Sequence, residues 1–177
     1  MRKLKINFDE IQKAMEDTLR DTFDYFFDME TGDVMTYSGE VLDEMKSRLY
    51  DDEYEEIQED IEYIEFDEEP QLPDWMLDEV DIALEILLDE TGRYVRIPER
   101  NSDTAFKSMA EFIETVKNPE LREKLTHALN GKRAFRKFKD ILTDYPKERK
   151  RWHGYNAKAM KKEITGWLMS IGVEPVS

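Results

Sequence analysis

Most of the side chains in this chain that could do chemistry are carboxylates. Its 177 residues include 42 Asp and Glu, two histidines and no cysteine. Without thiols there is no disulfide, thiolate metal site or cysteine nucleophile, and two histidines are too few for a His-rich metal site. His127 and His153 lie on different predicted helices, so we expect surface or packing residues rather than a general base.

The densest group of carboxylates could hold a hard divalent cation. Mg²⁺ and Ca²⁺ prefer oxygen ligands, and a bound metal can support hydrolysis. A metal-dependent hydrolase is therefore one open interpretation of this group, which comprises Asp51, Asp52, Glu55, Glu56, Glu59 and Asp60. No phosphate-binding loop, nucleophile elbow or zinc-protease motif occurs in the sequence. We therefore predict no catalytic residue, no metal ligand and no cofactor.

A basic stretch suggests a different chemistry, the binding of an anion. Residues 132–162 carry 12 Lys and Arg against three acids, a net charge of +9. Fixed cations with exposed donors are what phosphate binding requires. On a helix the apolar Phe135, Phe138 and Leu142 share one side, so we expect them to pack inward rather than stack on bases. The candidate binding residues are Lys132, Arg133, Arg136, Lys137, Lys139, Arg151 and Trp152.

The two halves of the chain carry opposite charge, which leaves several interpretations open. Residues 1–90 contain 31 acids and 7 bases, whereas residues 91–177 contain 11 acids and 19 bases, and the whole chain sums to −16. The halves could neutralise each other, with Arg133 and Lys137 paired to N-terminal acids and Trp152 in the core. Alternatively, the basic surface binds an anionic partner, or the acidic half occupies a basic groove of another protein.

Periodic patterns predict the elements that must position these residues. Alternating aromatics around the turn at Gly32 predict a hairpin near 22–37, and a third strand is predicted near 93–97. Apolar residues at helical spacing predict six or seven covering helices. They include a helix from Asn7 to Leu19, a helix that ends at Thr91-Gly92, and a helix whose apolar side includes Phe106. The fold class is therefore α+β, with a small antiparallel sheet of about three strands and an all-α C-terminal half.

The length suits one domain, which we assign to residues 1–177. Within it we distinguish an acidic α+β part at 1–98 and a basic helical part at 102–173, with a boundary near Pro98 to Asp103. The sequence contains no apolar run of the roughly 20 residues that a membrane span needs, and no signal core follows the basic start. We therefore expect a cytoplasmic protein without membrane association.

Several blocks of the sequence resemble a known family of small bacterial proteins, the uncharacterised protein family one-five-eight. The blocks are residues 94–98, 109–113 and 131–140, then Trp152 and Trp167-Leu168, and the hairpin at 27–34 also fits. The resemblance implies a bacterial cytoplasmic protein and supplies no catalytic residues. Our interpretation from the residues is a non-enzymatic interaction or regulatory domain with a protein partner. Nucleic-acid or other anion binding by the basic helices is the alternative.

Overall fold

A computed structural model of the protein describes residues 1–20, 22–43 and 74–177. Its strands are β1 (Arg2–Lys5), β2 (Phe23–Asp28), β3 (Val34–Ser38), β4 (Tyr94–Arg96) and β5 (Val173–Val176). Its helices are α1 (Phe8–Glu16), α2 (Asp74–Leu87), α3 (Ser102–Glu114), α4 (Pro119–Leu129), α5 (Ala134–Thr143) and α6 (Pro146–Ser170). Residues 39–43 are also helical. The predicted α+β class, with a mainly helical C-terminal half, is confirmed. The carboxylates at 51–60 lie outside the described residues.

The chain divides into two compact units. Leu4–Ile97 form the α+β unit, and Pro98–Val176 together with Met1–Lys3 form the helical unit. The division at Ile97 adjoins the boundary that the sequence predicts near Pro98. Assignment of residues 1–177 to one domain stays a prediction.

The sheet of the α+β unit has the strand order β3-β2-β4, with both pairs antiparallel. Phe27 stands opposite Val34 on one side and Val95 on the other, so the hairpin and the third strand are confirmed. Gly32 closes the hairpin with φ of +84°, and a β-carbon there would lie 2.7 Å from the carbonyl oxygen of Lys5. Only glycine fits this turn without strain.

Two predicted helices are shorter in the structure because acidic side chains stop them. The helix predicted to reach Leu19 ends at Glu16, since Asp17 is extended and its carboxylate accepts from the amide of Leu19 at 2.8 Å. The helix predicted to run to Thr91 ends at Leu87. Beyond it, Asp89 accepts from the amides of Thr91 and Tyr94. Asp competes with helical hydrogen bonds in this way wherever a local amide is within reach.

The helical unit is organised around one apolar core. Asn101 caps α3, and Asn118 followed by Pro119 starts α4 as the sequence predicts. Phe106 is predicted on the apolar side of this helix, but its position on α3 leaves it 40% exposed. Aliphatic and aromatic side chains fill the core. Its buried members are Met109, Phe112, Ile113, Val116, Leu121, Leu125, Leu129, Phe138, Leu142 and Trp152.

Three aromatic rings join α3, α5 and α6 at the centre of that core. The ring centroids of Phe138 and Trp152 are 5.0 Å apart, and those of Phe112 and Trp152 are 5.3 Å apart, both edge-on. Phe112 and Phe138 complete the triangle at 6.2 Å. Each such pair contributes about 0.5–1.5 kcal/mol beyond the apolar area it buries. The three rings therefore set the orientation of the helices that carry the basic residues.

The sequence does not predict β1 and β5, which pair with each other at the ends of the chain. The amide of Arg2 donates to the carbonyl oxygen of Gly172 at 2.9 Å. Each strand has four residues, too few to establish a clear alternation of apolar and polar side chains. β5 includes Pro175 and extends beyond residue 173, where the predicted helical part ends.

A buried ion pair closes the sheet of the α+β unit. The side chain of Asp28 is 4% exposed and accepts from Nε and Nη2 of Arg93 at 3.0 and 2.7 Å. The Arg93 guanidinium holds the pKa of the Asp28 carboxyl below its ordinary value. The amide of Glu30 also donates to Asp28 at 2.9 Å. Asp28 thus ties the hairpin to the residue that precedes β4.

Replacement of Asp28 by Asn should lower the free energy of unfolding by about 2–3 kcal/mol at pH 7, because charge-assisted hydrogen bonds are lost. The folded pKa of Asp28 is depressed, so its contribution is present above the unfolded value of about 3.9 and is lost as the pH falls. Urea unfolding should show a smaller difference in unfolding free energy between the unmodified protein and Asp28→Asn at pH 3 than at pH 7. Asp33→Asn, an exposed change in the same turn, should have little effect at either pH. A constant Asp28→Asn difference would contradict the ionic account.

Candidate functional site

Five of the seven predicted binding residues lie at and just before α5. Lys132 and Arg133 precede the helix, Arg136, Lys137 and Lys139 lie on it, and all five are exposed. On the opposite side of α5, Phe138 and Leu142 are buried at 0% and 1% exposure. The helix therefore turns its apolar side to the core and its cations to solvent.

Arg133 has a backbone conformation that is rare for a residue with a side chain. Its φ is 56° and its ψ 42°, the left-handed region, and this conformation lets the chain leave the α4–α5 turn and start α5. For an L-residue it costs roughly 1–2 kcal/mol. The carbonyl oxygen of Arg133 accepts from the amide of Lys137 at 3.0 Å. Its side chain makes no capping hydrogen bond, so the guanidinium remains at the surface.

Carboxylates of the helical unit do little to neutralise these cations. Arg136 and Asp140 approach to 4.0 Å, but their side chains are 76% and 72% exposed, and such surface pairs contribute little. Within the described part of this unit, no acid lies within 4 Å of Lys132, Arg133, Lys137 or Lys139. Pairing of Arg133 and Lys137 with N-terminal acids stays a prediction.

The cationic surface continues along α6. On α6, five further exposed cations have no acid of the helical unit within 4 Å: Lys147, Arg149, Lys150, Lys158 and Lys162. We call these five, together with Lys132, Arg133, Lys137 and Lys139, the unpaired cations. Within the helical unit no carboxylate neutralises them.

Arg151 is bonded into the fold although its side chain is 42% exposed. Its guanidinium donates to Oγ1 and the carbonyl oxygen of Thr115 at 2.8 and 3.2 Å, and to Oε2 of Glu148 at 2.7 Å. It also lies 4.7 Å from the ring centroid of Phe112. These contacts bind the end of α3 to α6. Thr115 is the partner that sequence reasoning missed, because 36 residues separate it from Arg151.

Trp152, the last predicted residue, is 3% exposed within the aromatic core. Its ring contacts Phe112, Phe138 and Tyr155. Burial leaves the indole no surface to offer a ligand. Trp152 therefore orients the helices that carry the cations and does not belong to the surface itself.

No group of three His, Asp or Glu able to hold a metal occurs in the parts of the chain that the structure describes. The carboxylates at 51–60 lie outside those parts, so the metal-dependent alternative stays a prediction. His127 and His153 are exposed, on α4 and α6 respectively. Among the described helices, none has the length and apolar character that crossing a membrane requires.

Comparison with known proteins matches a family model to most of the chain. The model of the uncharacterised protein family (UPF0158) matches residues 55–177. A Pseudomonas aeruginosa protein named as a UPF0158 protein is 26% identical over 98 residues, which is 55% of this chain. The match covers 64% of that relative's length. No solved structure matches the chain.

The two adjacent cations Arg151 and Lys150 should differ in their effect on stability. Arg151→Ala removes the bonds to Thr115 and Glu148, and we expect it to lower the free energy of unfolding by about 1 kcal/mol, given its exposure. Lys150→Ala should remain within about 0.5 kcal/mol of the unmodified protein. Urea unfolding of both variants measures the difference, and equal effects would contradict a structural role for Arg151.

Proposed function

The chain belongs to the uncharacterised protein family (UPF0158), as its resemblance predicted, and from its own residues we propose that it is a non-enzymatic interaction domain that binds an anionic macromolecule. The contact surface is formed by the unpaired cations of α5 and α6. The family name assigns no activity, so the proposal depends on the arrangement of charge in the helical unit.

The observation that supports the proposal is the number of exposed cations without an acidic partner. Nine Lys and Arg side chains of residues 132–162 have no carboxylate of the helical unit within 4 Å. Like charges three or four residues apart, such as Lys158 and Lys162, destabilise a helix by about 0.2–0.5 kcal/mol per pair. An anionic partner neutralises these charges, so binding would remove the unfavourable repulsion that is present in the free folded protein.

The net charge of the chain does not exclude such a partner. Residues 98–176 contain 17 Lys and Arg against 11 Asp and Glu, a net charge of +6 within a chain of −16. Salt screens exposed charges over about 8 Å at physiological ionic strength. An anion next to α5 or α6 therefore responds mainly to the local cations.

Retention on immobilised heparin, a sulfated polyanion, tests the proposal. The full-length protein should bind at low salt and elute as salt rises, because ionic contacts release counterions. The double change Lys137→Glu and Lys139→Glu should lower the eluting salt concentration clearly, since it reverses two cations of the surface.

The matched control is Lys107→Glu with Lys117→Glu. Both lysines are exposed in the same unit but outside the α5–α6 surface, and the change in net charge is identical. We expect the control to elute close to the unmodified protein. Failure of the unmodified protein to bind heparin at low salt would refute the proposal, and equal losses in both variants would refute the location.

A further inference from the structure

One face of α6 carries a row of exposed lysines. With 100° per residue, Lys147, Lys150 and Lys158 fall within an arc of about 80°, on the side opposite the buried Trp152. At 1.5 Å per residue the row extends about 17 Å along the helix. We call these three residues the α6 lysine face.

We propose that the α6 lysine face binds the phosphate backbone of double-stranded nucleic acid independently of base sequence. This inference rests on the proposed function above and identifies the class of its anionic partner. The contact is electrostatic: lysine ammonium groups face phosphate oxygens along the row, and binding releases the condensed counterions of the duplex.

The composition of the face favours nucleic acid over an acidic protein. Protein interfaces are enriched in aromatic residues, Met and Arg at their centres and depleted in Lys. Between the lysines of this face stand Gly154 and Ala157, which offer no apolar anchor. A lysine is a flexible point charge suited to phosphate, whereas recognition of a planar carboxylate favours the rigid fork of arginine.

Gly154 supports the same face as the point of contact. It lies in the interior of the 25-residue α6, where glycine is about 0.5–1 kcal/mol less favourable than alanine. A β-carbon built at this position would meet nothing within 4 Å, so packing does not require glycine here. Its absence of a side chain lets a phosphate group approach the helix between Lys150 and Lys158.

Burial of the aromatics favours a duplex over a single strand. Proteins that bind single strands stack the bases on exposed aromatic side chains. In α5 and α6 the rings of Phe138 and Trp152 are buried, while Phe135 and Tyr155 are partly buried and pack against the core. A duplex, whose bases are already stacked, presents only its phosphates to such a surface.

Base reading is disfavoured by the polar side chain that lies on the same side of the helix. Thr165 falls within the arc of the face at 100° per residue, and its Oγ1 donates to the carbonyl oxygen of Lys161 at 2.7 Å. Its hydroxyl proton is therefore engaged within the helix rather than available to a base edge. Sequence is read through side chains that reach base edges in the grooves, and lysine contacts to phosphates carry no sequence information.

Fluorescence anisotropy with the full-length protein tests the inference. The probes are two labelled 20-base-pair DNA duplexes of unrelated sequence, one single strand of the same length and a labelled poly-glutamate peptide. We expect equal affinity for the duplexes within about twofold, and weaker binding of the strand and the peptide. Three phosphate contacts should give a slope of log affinity against log salt of about −2.7.

A triple variant locates the contact. Lys147→Glu, Lys150→Glu and Lys158→Glu together should weaken duplex binding at least tenfold and flatten the salt slope by about 2.7, since each phosphate contact contributes roughly 0.9. The matched control is Lys107→Glu, Lys117→Glu and Arg122→Glu, which changes the net charge equally at exposed positions of the same unit. The control should stay within about threefold of the unmodified protein. Circular dichroism and thermal unfolding establish that both variants are folded.

Failure of this inference can be distinguished from failure of the proposed function. Retention on heparin without duplex binding would overturn the inference and leave the proposed function in place. Preferred binding of poly-glutamate or of the single strand would also overturn it, in favour of another partner class. Equal losses in the two triple variants would overturn the location on α6. A protein that binds neither heparin nor duplex would refute both.

Discussion

The rings of Phe112, Phe138 and Trp152 are the interaction on which the helical unit depends. Their centroids lie 5.0–6.2 Å apart, and each ring comes from a different helix. The ten-residue helix α5 directs Phe138 and Leu142 into this core. The opposite side of the helix therefore faces solvent. The positions of Arg136, Lys137 and Lys139 at the surface therefore follow from aromatic packing. The core and the cationic surface are two sides of the same helices.

Two arginines of the helical unit are engaged in internal bonds. Arg100 is 9% exposed at its side chain and bonds to Glu163 and Asn156, and Arg151 bonds to Thr115 and Glu148. Both guanidinium groups make several hydrogen bonds in fixed directions, which the planar fork permits. Arg149 and the lysines of α6 are exposed. A count of positive residues alone hides which of them the fold engages.

Signals that involve residues close together in the sequence made much of the fold predictable. Contacts between residues far apart in the sequence could not be predicted. The hairpin depends on Gly32 and on alternating aromatics, and the start of α4 depends on Asn118 followed by Pro119, all local signals. The β1–β5 pair joins the two ends of the chain through strands of four residues, too short for a periodic signal. The cations of α5 could be found by composition, but the engagement of Arg151 by Thr115 and the burial of Trp152 depend on tertiary packing.

A chain of net charge −16 can bind a polyanion because electrostatic attraction in salt is local. At physiological ionic strength the potential of an exposed charge decays over about 8 Å, whereas the α6 lysine face extends about 17 Å. The face is therefore longer than the screened reach of any single carboxylate. The acids add a long-range repulsion that screening also weakens. Raising the salt concentration thus weakens both the attraction by the lysines and the repulsion by the acids. The attraction falls more, because binding to phosphates releases counterions and this release is less favourable at high salt. The isoelectric point consequently describes the whole chain and predicts little about the surface of one of its units.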